Sequence, residues 1–290
     1  MNNMDEIYIG TSGWSYPRGE GSWKGHFYNK GEKDELGYYS QYFKAVEINS
    51  SFYMPPNPAY VARWLSKVPT DFIFTAKLWQ KFTHPKMFKE ATGFDEAISL
   101  ADIEIFKKSI EPLQKSGRLG ALLAQFPPSF KNEEFNRQIM KAVMKNFSEY
   151  RLAVELRNKS WSDDPQTQKL LAAGNAAWVQ IDEPRFPSSI ASRLPLTSDM
   201  AYFRFHGRNA ADWWGGDIER RYKYLYTDAE IKELASEVAT VGRRAKLTFA
   251  FFNNHWQGYA PRNAVSMIKA LQQPVKELLL EQELPRKDEA

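Results

Sequence analysis

At 290 residues, 43% hydrophobic and 14% aromatic, the chain carries enough apolar side chains for a sizeable core, in one large domain or two ordinary ones. With Lys+Arg at 39 and Asp+Glu at 35, the net charge of +4 is compatible with an anionic ligand but too small an excess to mark a nucleic-acid binder. The absence of cysteine excludes disulfides, thiolate catalysis and cysteine-ligated zinc or iron–sulfur sites, and no basic leader or membrane-length apolar run is present, so the expectation is a cytoplasmic protein without a membrane partner.

The opening run Ile7-Tyr8-Ile9 reads as a strand, and it ends in Gly10-Thr11-Ser12-Gly13-Trp14, where two glycines and two hydroxyls permit a turn that presents backbone N–H groups to an anion. A glycine- and aromatic-rich loop follows, then a helical pattern around Leu36, Tyr39 and Phe43. Ala45-Val46-Glu47-Ile48-Asn49 alternates, with Glu47 and Asn49 on its polar face, and Asn57-Pro58 is a helix start with proline at the first helical position. The third strand, Phe72 to Lys77, sets Thr75 and Lys77 on its less apolar face. Thr83-His84-Pro85 reads as loop, ahead of a helix from about Asp95 to Lys115. Leu119 to Gln125 is strand four, stopped by Phe126-Pro127-Pro128, with a helix over roughly Asn132 to Phe147 behind it.

Strand five, Arg151 to Arg157, puts Leu152, Val154 and Leu156 on one face and Ala153, Glu155 and Arg157 on the other. An acid and a base buried together need partners, since an unpaired buried ion costs several kcal/mol. Asp164-Pro165 starts the next helix. Ala177 to Asp182 forms strand six with Trp178, Gln180 and Asp182 on one face, and the proline-rich Glu183 to Pro195 shows no convincing helix. Strand seven, Ala201 to His206, pairs Arg204 with His206 on a face; Thr227 with Glu230 has capping-box spacing; strand eight, Lys246 to Phe252, ends in Asn253-Asn254-His255; and a final helix follows from Pro261.

Eight strands alternating with helices at spacings near those of a βα unit predict an α/β fold, a single (β/α)8 TIM-type barrel over 1–282 with long βα loops and an irregular or missing helix after strand six, followed by a charged solvated tail at 283–290. A doubly wound sheet is the competitor, but its strands should be apolar on both faces, whereas several here carry charge on one. In a barrel the C-terminal strand ends share one mouth.

With those residues in view, the chain resembles the domain of unknown function 72 family, also called YecE-like. Gly10 to Tyr16, Val46-Glu47-Ile48-Asn49 with Phe52-Tyr53, Thr83-His84, Gln125-Phe126-Pro127-Pro128, Glu155-Leu156-Arg157, His206-Gly207-Arg208 and Asn253-Asn254-His255 look like that family's blocks, in its order. Asn158 stands where the family's histidine is expected. The resemblance implies a barrel with a charged pocket and no settled reaction.

The reading is of an enzyme, hydrolase-like, binding an anionic or polyhydroxylated small molecule such as a phosphorylated sugar or nucleotide. Glu47, Glu155, Asp182 and His206 are the candidate catalytic groups; Ser12, Trp14, Asn49, Lys77, Gln125, Arg157, Arg204, Asn253 and Asn254 are the candidate substrate contacts. No cofactor and no metal ligand is expected, because arginines beside the carboxylates disfavour a divalent ion. The alternatives are a metal-dependent isomerase or phosphoesterase built on Glu47, Glu155, Asp182 and His206, or a non-catalytic nucleic-acid-associated protein. The plainest reading of Glu155 with Arg157 or Arg204 is an internal salt-bridge network. Composition assigns no oligomeric state.

Overall fold

In a computed structural model, residues 7–93, 98–215 and 220–278 are described. The strands among them are β1 (Ile7–Thr11), β2 (Ala45–Ile48), β3 (Ile73–Lys77), β4 (Leu119–Gln125), β5 (Leu152–Glu155), β6 (Ala176–Trp178), β7 (Gln180–Asp182), β8 (Met200–Phe205) and β9 (Leu247–Phe252). They form two parallel sheets, β1-β9-β8-β7 with four strands and β2-β3-β4-β5-β6 with five, in a TIM-like α/β arrangement. The sheets touch at two edges: Ser12 bridges Glu47 in parallel, with the Gly13 amide donating to the Glu47 carbonyl at 2.8 Å, and Val179, between β6 and β7, donates to the Val154 carbonyl at 3.0 Å. The single strand expected at Ala177 to Asp182 is thus two, because β6 pairs with β5 and β7 with β8.

The helices are α1 (Glu35–Tyr39), α2 (Pro58–Ser66), α3 (Gln80–Thr83), α4 (Pro85–Thr92), α5 (Leu100–Lys115), α6 (Glu134–Asn146), α7 (Lys159–Ser162), α8 (Gln166–Ala173), α9 (Asp228–Gly242) and α10 (Tyr259–Ala270). The Asn57 side chain caps α2 and the Thr227–Glu230 capping box opens α9, as their sequences lead one to expect. Where the sequence reads as loop, Thr83-His84-Pro85 instead joins α3 to α4, with Pro85 in the first turn of the latter. A Ser99–Asp102 capping box starts α5 at Leu100; the expected start at Asp95 and the tail at 283–290 lie outside the described residues. Residues 183–199 contain no helix, the irregularity expected after strand six. Among the described residues no helix is long and apolar enough to cross a membrane.

Register fixes which side chains share a face, because residues paired in a parallel ladder point the same way. Glu47 pairs with Thr75, Lys77 with Leu123, Gln125 with Glu155, Tyr202 with Phe249 and Arg204 with Phe251, so these groups face a common interior. The alternate residues Val46, Phe74, Leu122 and Val154 are fully buried on the outer faces of their strands. Beneath the charged groups lies an aromatic floor, with Phe249 5.5 Å from Tyr8 and 5.9 Å from Tyr202 between ring centroids. Gly120 leaves room for it, since a Cβ there would lie 2.4 Å from the Phe249 ring.

Candidate functional site

Arg204, at the end of β8, is the centre of the interior charge lattice. Its Nε donates to Glu47 Oε2 at 3.1 Å and its Nη2 to Glu47 Oε1 at 2.8 Å, a bidentate pair, while Nη1 donates to Glu155 Oε2 at 2.6 Å and Nη2 also reaches Ser12 Oγ at 3.4 Å. The Tyr202 hydroxyl donates to Glu47 Oε2 at 2.8 Å. Arg157 takes the other oxygen of Glu155, from Nε at 2.7 Å and Nη2 at 2.6 Å. Burial pushes the Glu155 carboxyl up, but the guanidiniums of Arg204 and Arg157 override it and hold the group well below the usual carboxylate range. Burial likewise pulls Arg204 down, and Glu155 and Glu47 carry it above the ordinary guanidinium value.

A second layer sits above this one. Arg157 Nη2 lies 3.1 Å from His206 Nε2, and His206 Nδ1 lies 3.0 Å from the Asn253 amide. Burial, then the Arg157 charge, pushes His206 down to about 3, so the ring is neutral at physiological pH. Nε2 faces both Arg157, which only donates, and Glu155 Oε1 at 3.4 Å, which only accepts; the arginine contact is the shorter, which sets Nε2 as acceptor with the proton on Nδ1. The Asn253 oxygen otherwise has no partner, and turning the amide so that this oxygen meets the Nδ1–H satisfies both groups. His206 therefore lacks the near-neutral titration on which a general acid or base role was expected to rest. It positions Arg157.

Asp182 requires a correction. Ile181 pairs with Arg204 and points inward, so Asp182, paired with Phe205, points outward. There its carboxylate accepts from Arg208 at 2.8–3.1 Å and from the Tyr226 hydroxyl at 2.7 Å, and Arg208 continues to Glu230 at 3.0 Å. The acid that enters the interior layer is its neighbour Glu183, which the sequence reading passed over. Glu183 is buried, its Oε2 lies 3.4 Å from Arg157 Nη1 without completing a hydrogen bond, and burial raises its carboxyl against the opposing pull of Arg157. The signal was available: Ala177, Val179, Ile181 and Glu183 form the alternation of small and branched residues suited to a narrow interior, whereas Trp178 and Gln180 accompany Asp182.

Lys77, at the end of β3, is 7% exposed, and its ammonium lies 3.9 Å above the centre of the Phe52 ring. Among the described residues it has no carboxylate within ion-pair distance and no hydrogen-bond partner, because Arg204 and Arg157 already occupy Glu47 and Glu155. Burial, then the Arg204 charge, lowers the amine to about 7. Gln125 is nearby in the same layer, with contacts of 3.4 Å to His84 Nε2 and to the Phe126 carbonyl. His84, read from sequence as a structural loop residue, lies close enough to Lys77 and Arg157 for both to lower it, after burial, to about 3. The Tyr16 hydroxyl donates to the Ser12 carbonyl with Asn49 close by, and the His255 ring lies between Tyr16 at 4.4 Å and Tyr222 at 4.6 Å, with the exposed Tyr53 near Tyr222, forming an aromatic rim.

Two other expected contacts lie elsewhere. The Trp14 ring packs edge-on against Trp64 at 5.0 Å, and the Asn254 amide donates to the Tyr224 carbonyl and to Asn263, each at 2.8 Å, fixing the loop after β9. The structure thus gathers Ser12, Glu47, Lys77, Gln125, Glu155, Arg157, Arg204, His206 and Asn253, with Asn49 at the rim, and leaves out Asp182, Trp14 and Asn254. The four residues of the metal-dependent alternative do not come together: Asp182 is on the outer face, and Glu47 and Glu155 receive guanidinium donors. Within the lattice two carboxylates face two guanidiniums, so the groups left to change charge are Lys77 and Glu183.

Residues 8–289 match the model of the family described as Protein of unknown function DUF72. The UPF0759 protein YunF of Bacillus subtilis (strain 168) is 29% identical over 280 residues, 91% of this chain and 94% of that protein. A crystal structure of a DUF72 family protein from Thermotoga maritima MSB8 has a TM-score of 0.81 and 38% identity, over 92% of this chain and 100% of that one. A second, from Enterococcus faecalis V583, has a TM-score of 0.80 and 29% identity, over 96% and 99% of the two chains.

Proposed function

The chain belongs to the DUF72 family of proteins of unknown function, and we propose that it is an enzyme performing proton-transfer chemistry on an anionic or polyhydroxylated small molecule at the C-terminal mouth of its strands. One observation carries this reading. A buried amine lowered to about 7 and a buried carboxyl raised above its ordinary value both feel the Glu155–Arg157 pair, so the affinities of a base and an acid for a proton are brought toward one another. Lys77 accepts a proton and anchors an anion when charged; Glu183 donates one. Hydrolysis is one reaction such a pair runs.

The reading takes the two sheets as one closed (β/α)8 barrel with β6 and β7 as one interrupted strand, supported by the Ser12–Glu47 bridge and the Val179–Val154 hydrogen bond. It revises the role of the arginines. Arg157 and Arg204 are committed to carboxylates, so they shape the pocket, and Lys77, Gln125, Asn49 and the tyrosine rim meet the ligand. A cytoplasmic setting accords with the cysteine-free sequence.

The test is thermal melting of the wild type against phosphorylated sugars, nucleotides, free sugars and divalent ions, followed by turnover assays on any class that stabilises. A ligand at a hundred times its Kd adds roughly 2.7 kcal/mol. Lys77→Met and Glu183→Gln should each weaken that response and abolish turnover. A response that both variants retain in full would move the ligand away from this mouth.

A further inference from the structure

We propose that Lys77 is a nucleophile that forms an imine with the aldehyde or ketone carbonyl of a short hydroxylated substrate. This rests on the reading of the mouth as a substrate site and goes beyond it by naming a covalent step and the functional group that step requires. A lysine kept only for charge would be placed against a carboxylate. Here the two nearest carboxylates are filled by guanidiniums, and the amine is left over the Phe52 face at 3.9 Å with no partner among the described residues. Two locked positive charges beside it, and burial, favour the neutral amine whose lone pair can attack. A carboxylate in the same place would be acidified by Arg204, and both buried histidines of this layer are held neutral near pH 7, which leaves the amine as the nucleophile of the cluster.

The step balances as follows. The Nζ lone pair attacks the carbonyl carbon, a C–N bond forms, the carbonyl π pair moves to oxygen, and a proton passes from nitrogen to that oxygen to give a carbinolamine. One further proton, for which Glu183 is the acid of the mouth, lets the hydroxyl leave as water and yields the iminium. The iminium sits beside Arg204, where a positive charge is disfavoured, so it draws electrons from the substrate strongly. It therefore promotes loss of a proton or a carbon fragment from the adjacent carbon. The substrate is short and hydroxylated because Lys77 as a residue is only 7% exposed beneath a tyrosine rim, while the loosely engaged Gln125 amide and Asn49 are placed to bond hydroxyls.

The experiment treats the intact protein at pH 7 with glyceraldehyde, dihydroxyacetone or pyruvate in the presence of borohydride, which reduces an imine to a stable secondary amine, and maps the adduct by peptide mass spectrometry. The adduct is expected on Lys77, forming roughly a hundredfold faster than on exposed lysines such as Lys86, since a far larger fraction of a near-neutral amine is unprotonated at pH 7. Lys77→Arg, which keeps the charge, should lose that adduct. Labelling confined to exposed lysines, or Lys77 labelling no faster than theirs, overturns the proposal. The same carbonyl compounds, with the phosphorylated sugars and nucleotides, are tested by thermal melting without borohydride. Stabilisation without a Lys77 adduct overturns the imine and leaves the mouth as a binding site; no adduct and no response to any of these compounds overturns the two together.

Discussion

Replacing Arg204 by methionine tests whether the interior lattice is dry and mutually dependent. Arg204 makes three charge-assisted hydrogen bonds to two fully buried carboxylates, two to Glu47 and one to Glu155. Glu155 keeps Arg157 after the change, whereas Glu47 keeps only the Tyr202 hydroxyl and a half-lattice of unbalanced negative charge. Breaking a buried pair on one side costs about 3–5 kcal/mol, and the loss should fall in that range because only one of the two acids retains a cation. At about 2 °C per kcal/mol for a chain of this size, the melting temperature should drop by roughly 6–10 °C. Glu47→Gln combined with Arg204→Met removes the stranded charge, so the double variant should be more stable than the sum of the singles by about 1.5 kcal/mol or more. Urea denaturation of the four proteins of this cycle measures both quantities. A single-variant loss under about 1 kcal/mol, or strict additivity, would refute the account of a dehydrated lattice.

Lys77 gives a pH signature of known sign. Its amine is lowered from 10.5 to about 7, so between those values the unfolded chain binds more protons than the folded one and stability rises with pH. Lys77→Met should therefore be more stable than the wild type below about pH 7, with the gap shrinking toward pH 10; a wild-type profile parallel to the variant's across that window would contradict the shift. Glu155 gives a slope of the same sign in a more acid window, because its carboxyl lies well below the ordinary value of 4.5 and its stabilising contribution, full above that pH, is lost as acid is added. Glu155→Gln should flatten the acid limb of the stability curve, and an unchanged limb would place the group's charge elsewhere. Asp182→Asn weakens the outer network with Arg208 and Tyr226, which should cost about 1–2 kcal/mol while leaving any ligand response at the mouth within twofold; a tenfold loss of that response would return Asp182 to the site.

The order of strands and helices was legible because alternation and caps are local. Glu47, Lys77, Gln125, Glu155 and Arg204 were found by assuming that polar strand faces turn inward, and the register bears that out for all five. The same assumption failed at strand six, where the face of Gln180 and Asp182 turns outward and that of Ala177 and Ile181 turns inward. There, which face turns inward depends on pairing with neighbours: Val154 against Trp178 and Arg204 against Ile181. No property of Asp182 and Glu183 taken alone discloses it. Nor does sequence tell a free arginine from a committed one. Arg157 and Arg204 looked like anion forks, and only the distances to Glu155 and Glu47 show their donors in use.

That commitment bears on whether the charges are structural or functional. A self-neutralised lattice of Glu47, Arg204, Glu155 and Arg157 is what a purely structural network would look like, and apolar layers would fill the same volume at lower desolvation cost. The lattice alone therefore decides nothing. Lys77 is different, because no structural economy is served by a buried amine without a carboxylate beside two guanidiniums. Glu183 repeats the pattern with opposite sign, as an acid whose Oε2 completes no hydrogen bond. The unfavourable energy of the interior is concentrated in the two groups that the lattice leaves unsatisfied. Buried groups whose proton affinities are pushed away from their ordinary values, Lys77 down and Glu183 up, are where chemistry is expected. Removing either should relax the protein while silencing the mouth, and that combination of gained stability and lost response separates a catalytic site from a structural one.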